Sequence, residues 1–113
     1  MKFSHLILSL TLALTSAVAF ASDYLTIQLK DGPVVIKLFP EVAPQNVARI
    51  KALATSGKYN DVAFHRVIDG FMAQTGDVQF GNLRKGLDAT RVGTGGSDAP
   101  DLPAEFSNIP FDR

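Results

Sequence analysis

The sequence has 113 residues with 11 basic and 11 acidic side chains, so its formal net charge is zero. A nucleic-acid-binding domain usually carries a basic excess, and this balance argues against such a partner. The chain has no cysteine and two histidines, which excludes disulfides and thiolate metal sites and argues against a histidine-based metal site. We expect neither a metal nor another cofactor.

Residues 1–21 have the pattern of a secretory signal peptide. Lys2 gives a positive start, residues 6–14 are almost wholly apolar, and residues 19–21, Ala-Phe-Ala, form a small-x-small cleavage site. The apolar stretch is short for a membrane span, and an uncleaved anchor is the alternative. We predict cleavage after Ala21, export to a bacterial periplasm and no stable membrane association. The remaining 92 residues, 22–113, carry a formal net charge of −1 and form a single small domain.

A hairpin and a helix are predicted at the start of this domain. Residues 24–29 alternate in polarity, residues 34–39 are mostly apolar, and the intervening Lys-Asp-Gly-Pro is typical of a turn. Pro44 suits the first turn of a helix, and apolar residues then recur at spacings of three and four. Gly57 is typical of the position just after a helix end. We therefore predict a helix over residues 44–56.

A second hairpin is predicted around residues 62–74, where two apolar runs flank an Asp-Gly dipeptide. A two-residue loop would place Arg66 opposite Ala73. A three-residue loop, with Gly70 at positive φ, places Arg66 opposite Gln74. We favour the second register because it gives the guanidinium a neutral amide partner. Both faces of the first strand are mostly apolar, as in a strand covered on both sides, while an ordinary Arg on a half-exposed strand is the alternative.

Residues 64–77 resemble the signature of the cyclophilins. The matching residues are Phe-His-Arg-Val-Ile at 64–68, Gly-Phe-Met-Ala-Gln at 70–74 and Gly-Asp at 76–77, and one departure, Thr75, stands where most members carry glycine. A Gly-Thr-Gly-Gly run at 93–96 is also similar. The resemblance implies a mainly β fold with helices: a closed antiparallel eight-stranded barrel capped by helices. It covers about the first half of such a domain, so we expect the domain to be incomplete at its C-terminal end.

The resemblance also implies roles for individual residues. Arg66 would donate a hydrogen bond to the prolyl nitrogen of a substrate, and Gln74 would orient Arg66 and bond the substrate backbone, which makes these two the candidate catalytic residues. The candidate substrate-binding residues are His65, Phe71, Met72 and Gly93. Of these, His65 has the alternative of a purely structural side chain.

The resemblance implies a peptidyl-prolyl cis-trans isomerase that acts on proline-containing polypeptides during protein folding, and we expect a monomer. The alternative is a non-catalytic proline-peptide-binding or chaperone-like module that uses the same groove. Arg66 and Gln74 together favour the enzyme, because a binder has no need of both. A hydrolase is excluded because no nucleophile and base are paired near His65.

Overall fold

The computed structural model describes residues 23–110, which contain four strands and one helix. In chain order these are β1 (Asp23–Leu29), β2 (Gly32–Leu38), α1 (Pro44–Thr55), β3 (Arg66–Ile68) and β4 (Met72–Gln74). The strands form two separate antiparallel sheets, β1 with β2 and β3 with β4. The described part of the chain is therefore mainly β with one helix, and its strands do not close into a barrel. The predicted signal peptide lies outside the described residues.

The first hairpin is tighter than the sequence pattern predicts. Leu29 pairs with Gly32, so the loop holds two residues, and Pro33 lies inside β2 opposite Gln28. A proline near the start of a strand is tolerated because the missing N–H is not needed there. Gly32 adopts a φ of 130°, a conformation that favours glycine. The predicted turn of four residues is therefore wrong, because the loop holds only two, while the two predicted strands are confirmed.

Helix α1 begins and ends close to the predicted positions. Pro44 occupies its first turn, and Ser56 is the residue that follows its last helical residue. At the C-terminal end Gly57 has a φ of 77°, the Lys58 N–H donates to the Leu53 carbonyl at 2.9 Å, and the Gly57 N–H donates to the Ala54 carbonyl at 3.1 Å. These two bonds form a Schellman motif, which satisfies carbonyls that the helix leaves unpaired.

The second hairpin has the register that we favoured. Arg66 pairs with Gln74 and Ile68 pairs with Met72, so the loop contains three residues. Gly70 supplies the positive φ, at 70°, and the Phe71 N–H donates to the Ile68 carbonyl at 3.0 Å. The prediction of a three-residue loop is confirmed.

The prediction that the first strand of this hairpin is covered on both sides is wrong for the described residues. All three residues of β3 are exposed, because a two-stranded sheet standing alone has no second layer to pack against. Within residues 23–110, Val47 is the one buried apolar side chain, at 7% exposure. In the same part of the chain no helix has the length and hydrophobicity needed to cross a membrane.

Candidate functional site

The two candidate catalytic residues lie opposite each other on the second hairpin. Arg66 begins β3 and Gln74 ends β4, and the two form a cross-strand pair. Arg66 is exposed, and no ion pair or hydrogen bond within residues 23–110 engages its guanidinium. Their side chains are not hydrogen-bonded to each other, so the five N–H groups of the arginine are available to an incoming acceptor.

Phe71 and Met72 lie at the turn of the same hairpin. Phe71 is the last residue of the loop, and 77% of its surface is exposed, while Met72 begins β4 and is half-buried. An aromatic ring with this exposure offers apolar area to a partner. The hairpin therefore presents an arginine, an amide, an aromatic ring and a thioether within nine residues of sequence.

The structure also brings His65 and Gly93 together. The backbone N–H of His65 donates to the backbone carbonyl of Gln74 at 3.1 Å, and this bond fixes the His65 backbone beside the hairpin. Both ring nitrogens are buried and have no hydrogen-bond partner among the described residues. Gly93 lies against this ring: a Cβ atom at position 93 would be 3.0 Å from His65 Nε2. Since Gly93 has a φ of 98°, both space and backbone conformation favour glycine there.

Asp77 holds the loop that carries Gly93. Its carboxylate is 4% exposed and accepts four backbone hydrogen bonds. Oδ1 accepts from the N–H groups of Gln79 at 3.0 Å and Phe80 at 2.8 Å. Oδ2 accepts from those of Gly93 at 2.7 Å and Gly95 at 3.0 Å. Burial raises the pKa of the Asp77 carboxyl, but the four amide donors outweigh that effect and hold the pKa below its ordinary value.

Gly95 is needed for this arrangement. A Cβ atom at position 95 would lie 2.5 Å from Asp77 Oδ1 and 2.7 Å from a ring carbon of Phe80. Sequence reasoning placed Asp77 in a signature but gave it no role. Its partners Gly93 and Gly95 are 16 and 18 residues away, and no local spacing predicts such a contact.

Thr75, the departure from the cyclophilin signature, makes a structural contact. Its hydroxyl donates to the Ala63 carbonyl at 2.8 Å. This bond joins the chain that leaves β4 to the chain that approaches β3. The hydroxyl thus adds a tie across the base of the hairpin that a glycine at this position cannot make.

Comparison with known proteins identifies the family. The family model described as cyclophilin type peptidyl-prolyl cis-trans isomerase/CLD matches residues 24–113. The chain belongs to this family. A probable peptidyl-prolyl cis-trans isomerase of Brucella suis is 58% identical over 106 residues, which are 94% of this chain and 54% of that protein. A peptidyl-prolyl cis-trans isomerase-like 3 of Emericella nidulans is 41% identical over 56 residues, which are 50% of this chain and 26% of that protein.

The chain therefore spans about half the length of the Brucella relatives that it matches, at 54%. A peptidyl-prolyl cis-trans isomerase-like 2 of Cryptococcus neoformans is 46% identical over 54 residues, which are 48% of this chain and 9% of that protein. No solved structure matches the chain significantly.

The segment between Asp77 and Gly93 of this cyclophilin chain is an ordered loop. Arg91 lies over the Phe80 ring, 4.3 Å from its centroid, and its Nε is 2.6 Å from Asp88 Oδ2. Hydrogen bonds from the Thr90 hydroxyl and from Arg91 lower the pKa of Asp88 to about 2. The loop has neither strand nor helix, as its lack of periodicity predicts, and side-chain contacts hold it in place.

A second carboxylate in this cyclophilin chain, that of Glu105, contacts residues that are even farther away in sequence. The residue before α1, Ala43, offers no side-chain cap. Instead Glu105 accepts hydrogen bonds from the N–H groups of Gln45 at 3.1 Å and Asn46 at 2.8 Å, and from the Asn46 amide at 2.6 Å. Desolvation raises the pKa of Glu105, but these bonds outweigh it and lower the pKa. Sequence reasoning missed this cap, which spans 60 residues.

Proposed function

We propose that the protein is a peptidyl-prolyl cis-trans isomerase that accelerates the isomerisation of X–Pro bonds in polypeptides during folding. One observation carries the proposal: the hairpin places Arg66, which is exposed and has no ion-pair partner within residues 23–110, directly opposite Gln74, with Phe71 and Met72 at the turn between them. Membership in the cyclophilin family supports the same activity.

The reaction makes and breaks no covalent bond. Partial double-bond character of the amide sets a barrier of about 18–20 kcal/mol, and an unaided X–Pro bond takes tens of seconds or more to isomerise. A catalyst has to stabilise the twisted state, in which the prolyl nitrogen is pyramidal and its lone pair is localised, more than the planar state. No nucleophile, general acid or cofactor is required for this.

Arg66 supplies the group that the twisted state needs. An N–H of its guanidinium donates to the localised lone pair of the prolyl nitrogen, and this bond is weak in the planar amide, whose lone pair is delocalised. Each tenfold acceleration needs about 1.4 kcal/mol, so three decades need about 4 kcal/mol. A charge-assisted hydrogen bond in a cleft that the substrate partly dries, together with positioning, supplies energy of this order.

The remaining candidate residues bind the substrate. Phe71 and Met72 form part of the floor that receives the proline ring, and Gln74 bonds the peptide backbone beside Arg66. His65 and Gly93 form one edge of the groove. Their mutual contact and their place next to the hairpin support this assignment.

Three wider features belong to the same proposal. The domain that residues 22–113 begin is a closed antiparallel eight-stranded barrel capped by helices, which is supported by the family match from residue 24 onward. Residues 1–21 direct export to a bacterial periplasm, and the mature chain begins at Ser22. The enzyme works as a monomer. N-terminal sequencing of the exported protein tests the cleavage site.

The activity is tested with a protease-coupled assay on a proline tetrapeptide, which compares the wild-type full-length protein with Arg66→Ala. We expect turnover to fall by about tenfold or more. Arg84→Ala is the matched control, because Arg84 is also an exposed arginine but pairs with Asp61 outside the hairpin, at 3.1 Å. Turnover should be unchanged in the control.

The same assay separates the enzyme from a proline-peptide-binding or chaperone-like module. A wild-type protein that binds the tetrapeptide without accelerating its isomerisation is a binding module. Activity that survives Arg66→Ala, in a variant of unchanged stability, contradicts the catalytic assignment of this arginine.

A further inference from the structure

The buried carboxylate of Asp77 joins two parts of the molecule that are far apart in sequence. It lies three residues after β4, the strand that ends at Gln74. Through Oδ2 it accepts hydrogen bonds from the N–H groups of Gly93 and Gly95. The distal end of the long loop is therefore tied to the chain that leaves the hairpin.

The hydrogen bond from the Gly93 N–H to Asp77 also fixes the position of Gly93 relative to His65. Gly93 itself is exposed, yet it lies so close to His65 that a Cβ atom would be 3.3 Å from Cδ2 of the ring as well as close to Nε2. The backbone N–H of His65 in turn donates a hydrogen bond to the Gln74 carbonyl. One carboxylate thus sets the distance between an exposed loop residue and the hairpin that carries Arg66.

We propose that Asp77 is a positioning residue that fixes Gly93 against the His65 ring and so sets one edge of the groove that binds the peptide flanking proline. The inference rests on the proposed function for the identity of the ligand. Asp77 is buried and donates nothing to the substrate, so it acts through Gly93 and not on the reacting bond.

This role predicts a specific kinetic pattern. Loss of the carboxylate frees the Gly93 N–H and lets the loop move away from His65, which weakens contacts that the substrate makes equally in its planar and twisted states. The loss of contacts that are equally strong in both states raises KM and leaves kcat unchanged. Asp77→Asn should therefore raise KM for a proline tetrapeptide by about fivefold or more and keep kcat within about twofold. Arg66→Ala, by contrast, lowers kcat.

The experiment compares three variants of the full-length protein. Asp77→Asn replaces one of the two acceptor oxygens with an NH2 group, which cannot accept from a backbone N–H, and Gly95→Ala keeps the acid but places a Cβ atom 2.5 Å from its Oδ1. The matched control is Asp88→Asn, because the Asp88 carboxylate also accepts hydrogen bonds within this loop, from Thr90 and Arg91, whereas the Gly93 N–H donates to Asp77. For each variant kcat, KM and the hydrogen-exchange rate of the Gly93 amide are measured.

We expect the Gly93 amide to exchange faster and KM to rise in Asp77→Asn and Gly95→Ala, with both quantities unchanged in Asp88→Asn. An unchanged KM despite faster exchange would overturn the role at the groove. Slow exchange retained in Asp77→Asn, or loss of the folded state in both test variants, would overturn the positioning role itself. A wild-type protein without isomerase activity would instead refute the proposed function, and Gly93 exchange would still decide whether Asp77 holds the loop.

Discussion

Arg66 is an exposed cation, and in the proposed mechanism its strength as a hydrogen-bond donor depends on the substrate. Two unit charges 4 Å apart interact by about 1 kcal/mol in bulk water and about 4 kcal/mol at an effective dielectric constant of 20. In the described residues nothing covers β3, so water weakens the field of the guanidinium until a peptide excludes it. If Phe71 and Met72 bind the peptide as proposed, this binding also excludes water from the groove in which Arg66 would act.

A charge-conserving substitution separates charge from shape at this position. Arg66→Lys keeps the positive charge but replaces a planar fork of five donors with a flexible point charge. We expect kcat to lie between those of the wild-type protein and Arg66→Ala, at a loss of about threefold. The protease-coupled assay measures it. Wild-type kcat in Arg66→Lys would show that charge alone is sufficient.

Phe71 and Met72 should act on binding more than on the barrier. Truncation of either side chain to alanine removes apolar contact with the proline ring, at a cost of about 1–3 kcal/mol in binding free energy. Titration with a proline tetrapeptide measures the dissociation constant, and Val67→Ala is the control because Val67 is on the same hairpin and 67% exposed. A loss confined to kcat, with unchanged affinity, would contradict the floor assignment.

The lowered pKa of Asp77 makes an acid-sensitive contribution to stability. Because its folded-state pKa lies below the ordinary value of 3.8, the folded state favours the ionised form. The stabilisation is fully present above the unfolded-state pKa and is lost as pH falls through the folded-state pKa. We expect the thermal stability of the full-length protein to fall below about pH 4 and to fall less steeply in Asp77→Asn. Parallel slopes for the two proteins would exclude this contribution.

The elements themselves were predictable where local chemistry determines them. Gly70 in a short loop set the register of the second hairpin, and Pro44 and Gly57 marked the two ends of α1. The contacts of Asp77 with Gly93 and Gly95, and those of Glu105 with α1, were not predictable in this way, because these partners are 16 to 60 residues away and follow no period. The same holds for the candidate site. The hairpin was predictable from the sequence, whereas the contact between His65 and Gly93 was not, because it depends on the fold.

Helix α1 provides a test of one such long-range contact. Glu105 accepts hydrogen bonds from N–H groups of the first turn, a role that a residue at the cap position usually fills. Its negative charge also interacts favourably with the positive end of the helix dipole. In the full-length protein, Glu105→Ala should lower the thermal midpoint, and Glu105→Gln should lower it less because a neutral acceptor remains. Glu41→Ala is the control, since Glu41 is exposed and precedes the same helix. An equal effect of Glu41→Ala would show that the loss is one of general charge and not of capping.

At the scale of the whole molecule the described residues bury little apolar surface. Val47 is the one apolar side chain between residues 23 and 110 that is buried, while Val35, Val67 and Phe106 are 61%, 67% and 94% exposed. An open groove of about 830 Å³ lies beside β1, lined also by Ile50 of the helix and by Phe64. Secondary structure is thus formed without the packed interior that makes folding cooperative.

This imbalance predicts how residues 22–113 behave when they are expressed alone. Conformational entropy opposes folding by about 1–2 kcal/mol for each ordered backbone residue, and a single buried valine with two separate hairpins cannot offset it. Exposed strand edges and apolar side chains favour association instead. We expect aggregation or partial unfolding, no cooperative thermal transition and little isomerase activity, with the hairpins and helix forming only transiently. A sharp melting transition together with dispersed amide resonances would contradict this, because it would require a core that residues 23–110 do not contain.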